Sequence, residues 1–436
     1  MEAYIHPLKA VAAKNRAGRG LGLYSVCSAN ELVLRASIRH AVFHHYPLII
    51  ESTSNQVNQL GGYTGMQPRD FKAMVETIAR EEGMESGALI LGGDHLGPLI
   101  WHDEKEEAAM EKAAEMVRAY TLAGFTKIHL DTSMKLADDD PALPLDPRVC
   151  ARRGAALARI VEEAYGELAS RNAGAKKPVL VIGSEVPVPG GSFEHEDSVT
   201  PTKKEDFFYQ VEVFKDAFRE AGVSFDPVTA FVVQPGVEFG DDFVCFYQRE
   251  KAKSLIGALK EVPDLVFEGH STDYQSSEKL AEMVQDGVAV LKVGPALTFT
   301  LREGLFLLEE IEKILIGDIK RRSHFKEALL GAMNRSDHFW KNHYTGTAEQ
   351  VEYKKSYSYS DRCRYYLPEP EVQGAIKTLL GNLPDVPPAL MSQYFPAQYR
   401  RFMKGALKSD AASLLYDRIG ELCAGYAGAC GYTVQG

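Results

Sequence analysis

The chain has 436 residues, 45% apolar and 25% charged, a balance that lets a globular protein bury a sizeable core without staples. Its net charge is −11 with lysines and arginines dispersed, which argues against nucleic acid or an anionic membrane as the main partner. A single basic pocket for a phosphorylated ligand remains compatible with that balance.

Short apolar runs alternate with longer helical patterns, and most runs end in polar residues. The first is Gly22 to Cys27, ending in Ser25-Val-Cys-Ser28. Pro47 to Ile50 runs into Glu51-Ser-Thr-Ser54, and Ala88 to Leu91 into the turn-like Gly92-Gly-Asp94-His95-Leu-Gly-Pro98. Lys127 to Leu130 leads to Asp131, Pro178 to Ile182 to Glu185, and Thr229 to Val233 to Gln234. Leu265 to Phe267 precedes Glu268-Gly-His270, and Val288 to Val293 carries Lys292 and ends at Gly294.

The helices between have legible ends. Pro68 suits a first turn, with a Phe71, Met74, Val75 and Ile78 stripe before Gly83. Thr202-Lys-Lys-Glu205 matches a capping box ahead of Phe207, Val211, Phe214 and Phe218. Eight strand–helix units predict a (β/α)₈ TIM barrel over residues 1–316, whose strand ends converge on one mouth. A doubly wound open sheet is the competing arrangement. Residues 317–436 lack a strand series and read as a helical C-terminal extension with aromatic and basic clusters.

Cys27, Cys150, Cys245, Cys363, Cys423 and Cys430 form no C-x-x-C pair, so free thiols in a reducing cytoplasm are expected. Met1 to Gly22 has no apolar signal-peptide core, and no run is long enough to cross a membrane.

Residues i and i+2 share a strand face, so Glu268 and His270 point the same way, as do His129 and Asp131. The expected mouth gathers Glu51, Asp94, Asp131, Glu185 and Glu268 with His95, His270 and Lys292. Five carboxylates cannot all stay ionised in one pocket without compensation, which points to a divalent metal beside Lys292. His95 and His270 are the expected ligands, with Glu268 or Glu185 third, a set suited to Zn²⁺, Mn²⁺ or Fe²⁺. His129, one layer deeper, reads as a core histidine. Asp94 is the first candidate base, Glu185 the other, and Lys292 a further candidate catalytic group. Asn55, Gln56, Gln234 and Asp131 are candidate sugar contacts, and Asn55 and Gln56 sit in an amide-rich loop. Such a site fits aldol cleavage, enolisation or epimerisation of a ketose. No P-loop or protein-kinase motif set is present.

Ser25-Val-Cys-Ser-Ala29, Glu51-Ser-Thr-Ser-Asn-Gln-Val-Asn-Gln59 and Gly92-Gly-Asp-His-Leu-Gly-Pro98 resemble the Z subunits of class II D-tagatose-1,6-bisphosphate aldolases. The resemblance continues through Glu185-Val-Pro-Val-Pro-Gly-Gly191, His270-Ser-Thr-Asp-Tyr-Gln275, Leu291-Lys-Val-Gly-Pro-Ala-Leu-Thr298 and Arg364-Tyr-Tyr366. It implies a barrel acting in galactitol, tagatose or N-acetylgalactosamine catabolism. It also implies an accessory role beside a catalytic aldolase subunit, within an oligomer. Relatives have also been labelled tagatose 6-phosphate kinases, and some are described as metal-dependent ketohexose C4 epimerases. Class II aldolases place an Asp-His pair after a strand, as Asp94-His95 does, and add two later metal histidines. Here His270 is present, but Gly294-Pro295 stands after the eighth strand. That departure favours an accessory subunit, or a metal site completed by a carboxylate.

Overall fold

Every expected strand forms. The computed structural model describes residues 5–85, 87–183 and 199–434. The first six strands are β1 (Leu23–Cys27), β2 (Leu48–Thr53), β3 (Leu89–Leu96), β4 (Lys127–Leu130), β5 (Val179–Ile182) and β6 (Val228–Val233). A short antiparallel ribbon, β7 (Glu238–Phe239) and β8 (Val244–Cys245), interrupts the series. Then come β9 (Val266–Gly269) and β10 (Val288–Val293). Among the described residues, the eight long strands pair in parallel. β1 joins both β2 and β10, which closes the barrel and excludes the open sheet.

The first helices are α1 (Pro7–Lys14), α2 (Glu31–Phe43), α3 (Pro68–Glu81), α4 (Glu106–Ala123) and α5 (Pro147–Arg171). They are followed by α6 (Lys204–Glu220), α7 (Arg249–Leu259), α8 (Ser277–Gln285) and α9 (Pro295–Leu315). Helix α1 seals the lower end of the barrel, where Leu8 and Val11 pack with Leu23, Ile49, Ile90 and Val290. Pro68 opens α3 as expected, with Gln67 and Asp70 forming a capping box. The box expected at Thr202 does not form. Helix α6 starts after Lys203, and the Thr202 hydroxyl instead accepts from Gln234 N at 3.0 Å, tying the loop before α6 to the end of β6.

The chain beyond α9 is helical: α10 (Phe325–Arg335), α11 (Ala348–Tyr357), α12 (Pro370–Asn382), α13 (Pro388–Tyr394), α14 (Pro396–Met403) and α15 (Ala411–Ala429). Helix α15 lies against α2, α8 and α9, and Tyr426 donates to Thr272 O at 2.8 Å above the barrel. One hydrophobic core runs through both segments, from Tyr24 in β1 to Cys430 after α15. All six cysteines are free, and among the described residues no helix is long and apolar enough to cross a membrane.

Candidate functional site at the barrel mouth

The Gly92-to-His95 stretch is strand rather than the expected turn, because β3 continues to Leu96. Its glycines are set by close approach. A Cβ at Gly92 would lie 2.5 Å from Glu51 Oε1, and one at Gly97 only 1.6 Å from Asp131 O. Between Gly93 and Leu96 the pairing with β4 slips, and His95 takes φ +50°. In a regular strand Asp94 and His95 would point to opposite faces. The bulge turns both toward the mouth, where both line one cavity.

Below the mouth lies a buried charge network. Glu51, Lys127 and Glu268 expose no surface. Lys127 Nζ sits 2.6 Å from Glu51 Oε1 and 2.8 Å from Glu268 Oε2. Lys292 Nζ lies 3.0 Å from Glu51 Oε2, 3.8 Å from Glu268 Oε1 and against Asp94 Oδ1. Burial opposes ionisation of Glu51, but Lys127 and Lys292 outweigh it and hold the carboxyl below its usual range. Burial also opposes ionisation of Glu268, and there Lys127 and a hydrogen bond from His270 prevail. Lys292 is likewise disfavoured by burial, yet Asp94 keeps it protonated well above the ordinary lysine range. Burial and the nearby Lys292 push His270 down to about 3, so its imidazole is neutral and able to ligate.

Asp94, His129, Glu268 and His270 each offer a ligand atom, all within 4.8 Å of one another. His129 is the member that sequence reasoning set aside as core. Asp94 Oδ1 lies 2.8 Å from its Nδ1, and its buried Nε2 has no hydrogen-bond partner. An imidazole oriented by a carboxylate at one nitrogen and bare at the other is disposed as a metal ligand. Two imidazoles and two carboxylates suit zinc, manganese or iron(II), so these residues fit a divalent ion.

His95 also lines the cavity, its ring centroid 5.0 Å from that of His270. Its Nδ1 is bonded to Asp131 Oδ2 at 2.7 Å, and it stands beside the quartet rather than in it. Burial lowers His95, but Asp94 and Asp131 outweigh it and raise the imidazole above its ordinary range. Asp131 also accepts from Ser133 N and Oγ. It thus orients His95 and does not line the cavity. Gln234 does not line it either, since its Oε1 accepts from Gly236 N and Val237 N and shapes the turn after β6. Asn55 and Gln56 do line it, although Gln56 Oε1 is engaged by Thr53 N at 2.9 Å. Glu185 lies outside the described residues. Lys127 was missed altogether. The signal for it was the same alternation that pairs His129 with Asp131, extended two residues back along β4.

The cavity holds about 300 Å³. Its floor carries Asp94, His95, His270 and Lys292, and its far wall comes from beyond α9: Arg364, Tyr365, Leu367 and Gln373. The C-terminal extension therefore covers the mouth.

Residues 8–431 match the model of the family described as D-tagatose-1,6-bisphosphate aldolase subunit GatZ/KbaZ-like. The D-tagatose-1,6-bisphosphate aldolase subunit GatZ of Salmonella agona is 43% identical over 97% of this chain and 99% of its own length. The subunit of the same name from Klebsiella pneumoniae is 42% identical over the same shares. A crystal structure of a probable tagatose 6 phosphate kinase from Sinorhizobium meliloti superposes with a TM-score of 0.84 at 39% identity, covering 94% of this chain and 100% of that one. A shared barrel, a shared sequence and nearly complete mutual coverage leave one assignment: the chain belongs to the D-tagatose-1,6-bisphosphate aldolase subunit GatZ/KbaZ-like family.

Proposed function

We propose that this chain is the Z-type subunit of a D-tagatose-1,6-bisphosphate aldolase in carbohydrate catabolism. In this reading it works with a separate catalytic subunit and holds one divalent metal ion at its barrel mouth. The observation that carries the reading is the likeness to GatZ relatives over 97% of the chain, with the ligand quartet inside that span.

Asp94, His129, Glu268 and His270 would hold zinc or manganese. Such an ion, when bound, supplies polarisation of a carbonyl or hydroxyl oxygen on the substrate. Burial opposes ionisation of Asp94, but His95 and Lys292 hold its carboxyl well below the usual range, so it stands ionised for the ligand role; a carboxylate that acidic is a weak general base. Lys292, protonated against Asp94 and beside Glu51, compensates the floor's carboxylates. Asn55 faces the same cavity as a hydroxyl contact. A ketose or ketose phosphate is the ligand class that matches this lining.

A second reading, a stand-alone metal-dependent ketose C4 epimerase or aldolase, is favoured by the cavity itself. A purely structural subunit has no use for a polar chamber with buried, charge-balanced walls. Metal analysis of the purified protein tests the first half of the proposal. Tagatose-1,6-bisphosphate cleavage, measured with and without an added catalytic subunit, tests the second. Cleavage that needs the other subunit supports the accessory role. Cleavage or tagatose–fructose interconversion by this chain alone supports the second reading. A metal-free protein that neither cleaves nor stimulates a partner would sink both.

A further inference from the structure

The cavity has two poles of different chemistry. Its floor is the carboxylate–imidazole network, in which Lys292 is neutralised by Glu51 and Asp94. Its far wall is basic. Arg364 lines the cavity; among the described residues no carboxylate oxygen lies within 4 Å of it, and although burial opposes its charge, the more distant Asp361 helps keep it protonated. Arg362 lies behind it, only 4% exposed, and is likewise without a carboxylate partner. Its Nε is buried without a hydrogen-bond partner. Both guanidiniums donate to the Tyr365 hydroxyl, Arg364 at 3.1 Å and Arg362 at 3.4 Å. The carboxylate nearest in sequence, Asp361, is committed elsewhere, to Arg302 Nε at 3.1 Å and the Thr298 hydroxyl at 2.7 Å. Arg362 is buried with no carboxylate in contact, and burial lowers its pKa, so an anion entering the cavity beside Arg364 would offset a real desolvation cost.

The usual anion position of a barrel is closed here. After its last strands a barrel often binds phosphate at backbone N–H groups of a helix start. In this chain the start of α9 is filled by its own carboxylate, because Asp273 Oδ1 accepts from Gly294 N at 3.0 Å and Ala296 N at 2.8 Å. The start of α2 is filled too, by Asn30 Oδ1 accepting from Leu32 N and Val33 N. Among the described lining residues, that leaves Arg364 as the cation facing the cavity with capacity for an external anion. Tyr365 registers the resulting field. Burial would raise its phenol, yet Arg364 and Arg362 outweigh burial and draw it below its ordinary range.

We propose that Arg364, backed by Arg362 and joined to it through Tyr365, is the anion-binding pole of this cavity, and that the group it takes is the phosphate of a phosphorylated ketose. The proposal rests on reading the cavity as a ketose site. It assigns the phosphate end to the C-terminal extension and leaves the reacting carbons over the floor. The planar guanidinium matches phosphate oxygens two at a time, which a lysine cannot do.

Calorimetric titration of the full-length protein with inorganic phosphate, D-tagatose 1,6-bisphosphate and unphosphorylated D-tagatose tests it. The comparison uses the unaltered chain, Arg364→Gln and Arg364→Lys, with melting temperature and metal content recorded for each. The unaltered chain is expected to bind the bisphosphate at least about tenfold tighter than the free sugar and to bind phosphate alone weakly. Arg364→Gln should erase both differences with the free-sugar affinity and metal content unchanged. Arg364→Lys, which retains charge for the loop carbonyls of Ser360 and Asp361, should fall between and guards against misfolding of the glutamine variant. Phosphate affinity unchanged in both variants, or no phosphate binding by the unaltered chain, would overturn the anion pole. Phosphate binding lost in Arg364→Gln, with neither sugar bound by the unaltered chain, would support the anion pole and overturn the ketose.

Discussion

Lys127 donates to Glu51 Oε1 over 2.6 Å, and neither side chain reaches solvent. The same ammonium lies 2.8 Å from Glu268 Oε2, so one lysine compensates two carboxylates in the barrel interior. Replacing it by an apolar residue would leave both acids buried with only Lys292 to answer them. Lys127→Met is therefore expected to destabilise the fold by about 3–5 kcal/mol. Adding Glu51→Gln should recover part of that loss. Urea unfolding of the two single variants and the double variant measures the coupling. A single variant as stable as the parent would mean the network is not what holds these acids ionised.

Lys127 also marks where the sequence stops being legible. The strands could be read because apolar runs such as Val179–Ile182 and Val228–Val233 stand between glycine, proline and polar turns. The polar residues ending those runs gave the mouth. Lys127 and His129 sit inside a run, Lys-Ile-His-Leu, where burial looks apolar and the charge looks accidental. Their partners, Glu51 and Asp94, come from β2 and β3, and the parallel pairing of β2, β3 and β4, with Gly92 between Glu51 and Lys127, brings them within reach. The bulge at His95 was hidden for a different reason. Gly92-Gly93 reads as a turn in one dimension, whereas the glycines are required by Glu51 and Tyr120 packed against them from other elements. Thr202 had the residues of a capping box, but its hydroxyl is taken by the β6 backbone, a tertiary contact that overrides the local pattern. Tyr365 and Arg364, far along the chain, carried no spacing signal linking them to the mouth.

The two possible sets of metal ligands can be separated. Sequence spacing puts His95 in the set, while the geometry groups His129 with Asp94, Glu268 and His270. His129→Ala and His270→Ala are expected to lower metal affinity by about 10–100-fold or more. His95→Ala, whose ring is bonded to Asp131, should lower it less. Metal content after dialysis against a weak chelator, measured by mass spectrometry, ranks the three. His95→Ala as the most severe loss would restore the set read from spacing.

Gly97 is a close-approach position that has no left-handed backbone, so the effect of substituting it is purely steric. A methyl group there would meet Asp131 O at 1.6 Å, and backbone cannot rotate aside as a side chain can. Gly97→Ala is expected to cost about 3 kcal/mol or more and to displace the Asp131–His95 pair with it. Thermal melting reads the first effect and the His95 imidazole resonance the second. A melting temperature within a degree of the parent would contradict the packing described for the β3–β4 seam.

Two histidines outside the metal-capable quartet should make the fold acid-sensitive. Burial is the first cause at both: it pushes His6 down to about 4, where Nδ1 caps α1 by accepting from Leu8 N, and His40 down to about 3, beside the Tyr46 hydroxyl at 2.7 Å. In the unfolded chain each titrates near 6.5. Below that value the unfolded state binds the extra proton and the folded state does not. Stability is thus fully present above about pH 6.5 and is lost as pH falls toward 4 for His6 and 3 for His40. For His6, 4% exposed, the expected loss between pH 7 and pH 5 is on the order of 2 kcal/mol. His6→Asn keeps a side-chain oxygen for the cap but cannot titrate, so its urea midpoint should fall less steeply over that interval than the parent's. Parallel pH profiles for the two proteins would mean that His6 accepts its proton in the folded state, and that the lower seal of the barrel tolerates a charge.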